Sequence, residues 1–388
     1  MNADFFSTSN LLKLGFRIFL ILLGLVLLIE VVLWAAFRTP LNPSSTFRFN
    51  NHIPGLKEKV TFEVTSVEQM RTRKWEPGPK SAGSLRILCV GGPATMGQLQ
   101  NTDDTWWGQL AALLEEKLPG VKLEIAANAG VPYLAMSGTK WVATFAPDWQ
   151  PDLIIANFGA GEVLSQPLEQ YRYNAKLFET LPPAKRVRSA WKEAMIQVSQ
   201  ISRWWVGRDV KYASLRSQAV MGEENYFSDF FKLRRSEYQK LVPISNPFRL
   251  SDADPRNEYR DALKHLLVTS QSVGAQLILT GEPCLCRELM TPENAALLCT
   301  FVPKSTSQPS IMVKVQTGWV ERELRRYQEV AQELAKENQL TFVDLNETIL
   351  PDADHFVDEM TLTDQGAREM AAQLLPKVWS VVNKIRGL

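Results

Sequence analysis

Three histidines, a few placed carboxylates and a cluster of cysteines are the side chains of this sequence best suited to moving protons, activating nucleophiles or holding metals. The histidines are His52, His265 and His355. A serine nucleophile at neutral pH needs an adjacent base, so this short list bounds any hydrolytic chemistry. His52 falls in a proline-rich stretch and His265 in a helical pattern. That leaves His355, three residues before Asp358, as the one base worth weighing, with Ser137 as the nearest hydroxyl to pair with it. Asp352, Asp354, His355 and Asp358 offer cation ligands, but an acidic loop is more often simply solvated, and no metal is expected. No cofactor is expected either. The turn Gly91-Gly92-Pro93-Ala94-Thr95-Met96-Gly97 is not G-x-G-x-x-G, and Pro93 lacks the N–H that a phosphate would want. Cys89 sits in an apolar run and reads as a small buried hydrophobe. Cys284, Cys286 and Cys299 cluster further on; in an oxidising compartment they admit a bond from Cys299 to Cys286 or Cys284, with zinc on all three as the weaker reading.

The elements that must position these groups are legible as alternating strands and helices. Residues 85–91 (LRILCVG), 123–127 (LEIAA), 153–157 (LIIAN), 275–280 (AQLILT) and 341–345 (TFVDL) are short apolar runs, the pattern of parallel strands covered on both faces. Helical periodicity fills residues 106–118, 259–273 and 320–340, and a last helix over 366–385 is interrupted by Pro376. A five-stranded, doubly wound parallel sheet follows, with its ligand site beyond the carboxyl ends of the strands.

Those strand ends carry the informative residues. Strand one runs into Gly91 to Gly97, strand two ends at Asn128-Ala129-Gly130, strand three ends at Gly159-Ala160-Gly161-Glu162, and Asp358-Glu359-Met360-Thr361-Leu362-Thr363-Asp364-Gln365-Gly366 precedes the final helix. In order and spacing the four blocks resemble the SGNH, or GDSL, hydrolase family from about residue 60 to the C-terminus. That family reads G-D/G-S-x-T-x-G, N-x-G, G-x-N-D and D-x-x-H-L-T-x-x-G in turn. The stretch 65–71, ending in Arg71, also looks like the N-S-x-G-x-R segment of membrane-anchored relatives. The resemblance implies a three-layer α/β/α, flavodoxin-like domain. Gly91, Thr95, Gly97, Asn128, Gly130 and Asp358 stand at retained family positions. The departures fall on the chemistry. The nucleophilic serine is replaced by Pro93, which has neither a hydroxyl nor an oxyanion-hole N–H. The asparagine of block three is replaced by Gly161, and the catalytic histidine by Thr361, which cannot exchange protons near neutral pH. Gly92, Glu162 and His355 would line what remains as a ligand cleft. The expectation is a catalytically degenerate domain that binds or assembles, with no catalytic residues. The alternative is an active esterase or O-acetyltransferase on carbohydrate esters, using Ser137 and His355 as displaced groups.

With 388 residues, 45% hydrophobic and 22% charged, the chain is ordinary globular material. Its 43 basic and 42 acidic side chains give no global case for nucleic-acid binding. The exception is residues 18–37 (IFLILLGLVLLIEVVLWAAF), where Glu30 is the only ionisable side chain. Twenty helical residues rise ~30 Å, the thickness of a bilayer core, so one transmembrane helix is read here. Lys13 and Arg17 before it favour a cytoplasmic N-terminus and a periplasmic or extracellular main domain. Residues 1–38 then form a cytoplasmic tail and membrane helix, 39–83 a stalk with one short strand at 60–64, and 84–388 the SGNH-like domain. A helical insertion at about 163–254 breaks the alternation, and residues 171–220 carry ten basic and three acidic side chains. An anionic glycan or lipid headgroups would suit that basic segment. Anchored SGNH relatives work beside membrane-bound O-acyltransferases on exported polysaccharides, so the resemblance implies an envelope glycan or a membrane protein as partner.

Overall fold

A computed structural model describes residues 24–25, 44–65, 70–74, 80–128, 134–165, 226–245, 254–305 and 308–387. In chain order the strands are β1 (Ser44–Asn50), β2 (Lys59–Thr65), β3 (Met70–Arg73), β4 (Leu85–Gly91), β5 (Leu123–Asn128), β6 (Leu153–Phe158), β7 (Pro243–Ile244), β8 (Gln276–Gly281), β9 (Val302–Ser305), β10 (Gln308–Val315) and β11 (Thr341–Asp344). The longer helices are α1 (Trp106–Lys117), α2 (Ala135–Trp149), α3 (Tyr226–Lys240), α4 (Pro255–Ser272), α5 (Thr317–Glu337) and α6 (Asp364–Arg386).

The main sheet runs β1-β2-β3-β5-β4-β6-β8-β11. Its five parallel strands are those expected from the apolar runs, in the order 2-1-3-4-5 of a flavodoxin-like sheet. Every residue of β4 and β6 is buried, as strands covered on both faces require. Helices α1 and α6 pack together on one face, and α2, α4 and α5 on the other.

The sheet has eight strands rather than five, because the segment expected to be a stalk joins it. β3 pairs antiparallel with β5, from Met70 opposite Asn128 to Arg73 opposite Ile125, and β2 and β1 follow as an antiparallel hairpin. These strands cover the backbone donors and acceptors that β5 would otherwise expose. They bury only one face, with Phe49, Val60 and Phe62 inside and Arg48, Thr61 and Glu63 outside, so they lack the continuous apolar signature of the central strands. A second, three-stranded sheet, β7-β10-β9, joins β7, which precedes α4, to the β9-β10 pair in the excursion between β8 and α5. Pro376 does not interrupt the last helix: α6 continues through it to Arg386. Leu374, Val378, Val381 and Val382 are buried on both sides of the proline, and that tertiary packing offsets the ~3 kcal/mol that an interior proline costs.

Residues 18–37, apart from Gly24 and Leu25, lie outside the described residues, as do 171–220 of the basic insertion. Among the described residues no helix is long and apolar enough to cross a membrane. Within the insertion α3 and β7 are described, and α3 packs Phe227 against Phe49 of β1, with ring centroids 4.6 Å apart.

Candidate functional site

The strand ends meet where the topology places them, and buried side chains join the blocks. At the end of β4, Gly91 leaves no room for a side chain: a Cβ there would lie 2.3 Å from the Asn157 carbonyl oxygen and 2.4 Å from Thr95 Oγ1. Asn157, on β6, donates from Nδ2 to Thr95 Oγ1 (3.2 Å), while its Oδ1 accepts from Thr280 Oγ1 of β8 (2.9 Å). This ladder ties three adjacent strands beneath the turn. Pro93 opens the short helical turn Pro93–Met96, where a missing N–H costs nothing. Gly97 ends that turn in the left-handed region at φ 55°, its N–H reaching the Pro93 carbonyl at 3.1 Å.

Arg71, on β3, fixes the loop that follows. It is wholly buried; Nη1 donates to the carbonyls of Met96 (2.8 Å) and Gly97, and Nη2 to that of Gln100 (2.9 Å). Gln100 Nε2 in turn reaches the Thr363 carbonyl and Asp364 Oδ1, each at 3.1 Å. The first and fourth blocks are therefore bonded through Arg71 of β3 and Gln100, with β3 in the segment expected to be a stalk.

The fourth block is closed upon itself. Asp358 Oδ1 accepts from the N–H groups of Met360 (2.8 Å) and Thr361 (2.7 Å), and Oδ2 accepts from Thr361 Oγ1 (3.0 Å). Asp358 thereby holds the Thr361 hydroxyl. Thr361 is buried and its hydroxyl is a donor in a closed loop, not a free acid or base. Asn128 ends β5, half-buried; Gly130 lies outside the described residues.

The residue that sequence reasoning missed is Glu282, just beyond β8. It is fully buried, and Oε2 accepts from the Gly161 N–H at 3.2 Å. Oε1 has no hydrogen-bond partner and faces Gly92 so closely that a Cβ there would lie 2.0 Å from it. A carboxyl group thus occupies the space between the first and third blocks. Burial pushes its pKa up to about 8, against the pull of the Gly161 and Ala160 N–H groups, and the charge of Glu162 adds to the rise. The signal in the sequence was a lone acid following an apolar parallel strand, next to a glycine turn. Glu162 itself accepts from the Ala135 N–H at 2.6 Å, tying block three to the start of α2.

His355 is buried, and its Nδ1 lies 2.6 Å from Asp352 Oδ1, which also accepts from the N–H groups of Asp354 and His355. The pair has the form of a base and its orienting carboxylate. Ser137 is half-buried in the first turn of α2, and among the described residues no hydrogen bond joins it to His355. His52 and His265 are exposed. The expected bond from Cys299 to Cys286 or Cys284 is not formed. All four cysteines are buried free thiols, and the Cys284 sulfur instead accepts from the Cys286 N–H at 3.4 Å. Cys299 Sγ, Asp358 and Glu359 offer ligand atoms within 4.8 Å of one another. The carboxylates are already engaged, Glu359 by the Cys299 (2.8 Å) and Thr300 (2.7 Å) N–H groups and the Thr300 hydroxyl. Glu359 therefore pins the 299–300 loop to block four.

No family model and no curated protein matches the chain. Solved structures overlap it loosely. The psychrotrophic esterase EstA from Pseudoalteromonas sp. is 8% identical, with 77% of this chain and 98% of that chain covered at a TM-score of 0.37. A carbohydrate acetylesterase from Sinorhizobium meliloti is 11% identical, with 77% and 100% covered at 0.39. The aryl esterase of M. smegmatis is 13% identical, with 77% and 100% covered at 0.38.

Proposed function

We propose that this chain is a membrane-anchored, SGNH-hydrolase-like protein that has lost its hydrolytic machinery and serves as a binding or assembly subunit at the cell envelope. The observation that carries the reading is Glu282. Its carboxyl is seated against Gly92 and on the Gly161 N–H, beside a Pro93 that supplies neither nucleophile nor donor. A group that is anionic or near its titration point, placed where negative charge would develop, opposes the stabilisation that ester hydrolysis requires. In this reading residues 18–37 anchor the chain, the main domain lies outside the cytoplasm, and the partner is an envelope polysaccharide or a membrane-bound O-acyltransferase. The basic segment at 171–220 suits an anionic glycan or headgroup.

The Asp352–His355 pair is the one feature that favours the other reading, an esterase or acetyltransferase with Ser137 as nucleophile. Both are tested by turnover of p-nitrophenyl acetate and acetylated xylan by the full chain in detergent, alongside Ser137→Ala, His355→Ala and a Pro93→Ser, Thr361→His double variant. The binding reading expects wild type at the buffer rate. Enzyme-like turnover that is lost in Ser137→Ala or His355→Ala overturns it.

A further inference from the structure

The strand register determines which end of the domain a membrane anchor would reach. β1 enters the sheet at Ser44, which lies opposite Thr65; Thr65 lies opposite Met70, and Met70 opposite Asn128 at the carboxyl end of β5. Three cross-strand steps of about 5 Å put Ser44 within roughly 16 Å of the block-two asparagine. The chain therefore joins the fold at the same end as the candidate cleft. Between residue 37 and Ser44 the backbone spans at most about 25 Å, whereas a domain of this size is about 50 Å across. A tether that short cannot bring the opposite end of the sheet to the bilayer.

The exposed apolar side chains make the same division independently. Among the described residues other than 24–25, those large and exposed are Phe230, Leu233, Val242, Leu289, Leu350 and Val268. The first five stand on the carboxyl-end side. Leu289 (92% exposed) follows β8, Leu350 follows β11, and Val242 precedes β7 beside the start of α5. Phe230 and Leu233 (60% exposed) lie on α3, which is bonded to this end through Arg235 Nη2 to the Val357 carbonyl and Gln239 Nε2 to the Ala295 carbonyl. Asp229, Lys232, Glu237 and Lys240 are exposed on the same helix. Exposed Phe and Leu among charged side chains of both signs make a surface able to sit among lipid headgroups. Val268, on α4, is the exception.

We propose that the carboxyl-end face of the sheet, behind which Gly92, Gly161 and Glu282 are buried, lies against the lipid bilayer. This rests on the anchored reading above.

The test uses the full chain reconstituted into protein-free vesicles of phosphatidylcholine and phosphatidylglycerol. Single variants Leu289→Cys, Leu233→Cys and Val268→Cys are labelled with an environment-sensitive fluorophore, the native thiols being buried. Quenching by brominated lipids is then read. Labels at 289 and 233 are expected to be quenched at least threefold more than the label at 268, with a blue shift in emission. Equal quenching at the three positions, or none, in a chain that resists alkaline extraction overturns this orientation and leaves the anchor standing. Extraction of the chain by alkali overturns the anchored reading itself, and the orientation with it.

Discussion

Replacing Glu282 with glutamine changes one oxygen to an NH2 and removes a titration, which makes it the sharpest probe of the cleft. In the folded protein the carboxyl titrates at about 8, against an ordinary value of 4.5. Because this acid's pKa is raised by folding, the native state holds the extra proton between these limits. Its stability contribution is complete below about pH 4.5 and is lost as pH climbs through 8. Each tenfold difference in proton affinity between the folded and unfolded states is worth about 1.4 kcal/mol. Integrated from pH 5 to pH 8, wild type should lose about 3 kcal/mol that Glu282→Gln does not lose. Urea unfolding of both proteins at successive pH values across that range measures this directly. Asp344, Asp364 and Glu359 also have raised values, but they are common to both proteins and cancel in the difference. Parallel stability–pH curves for the two would refute the placement of an unpartnered carboxyl in the cleft.

Gly92→Ala puts a methyl group 2.0 Å from Glu282 Oε1, and should cost about 2–3 kcal/mol by overpacking. Adding Glu282→Ala should return part of that loss, a coupling that a thermal-melt double-mutant cycle reads and that independent sites would not show. Arg71→Met keeps the bulk but strands the carbonyls of Met96, Gly97 and Gln100, for a loss of about 3 kcal/mol. Arg71→Lys should recover less than half of it, because one ammonium cannot span three divergent acceptors; full recovery in denaturant melts would show that the fork geometry is unimportant.

The central strands and their helices were legible because a parallel strand covered on both faces must be mostly apolar, and β4, β6 and β8 are, with Arg86, Asn157 and Thr280 the buried exceptions. β1 and β3 were not, since each is short or buries a single face, and their pairing depends on an edge of β5 far away in sequence. Pro376 misled because helix propensity is a local quantity, while the valines and leucine that hold α6 straight act through the core. At the candidate site, the block positions were found because their order and spacing after the strands resemble the SGNH pattern. Glu282 was not, because nothing near it in sequence reveals that Gly92, Gly161 and Ala160 converge on its carboxyl.

By itself, the sequence determined the parallel core and the glycine and aspartate positions at the strand ends. Those are properties of residue type and periodicity. Only the tertiary structure decided that the space between Gly92 and Gly161 is filled by the Glu282 carboxyl, that Arg71 and Gln100 link the first block to the fourth, and that the chain enters the sheet at the carboxyl end of β5. Each of these depends on strand register and on contacts between segments far apart in the chain, and local sequence carries no record of either.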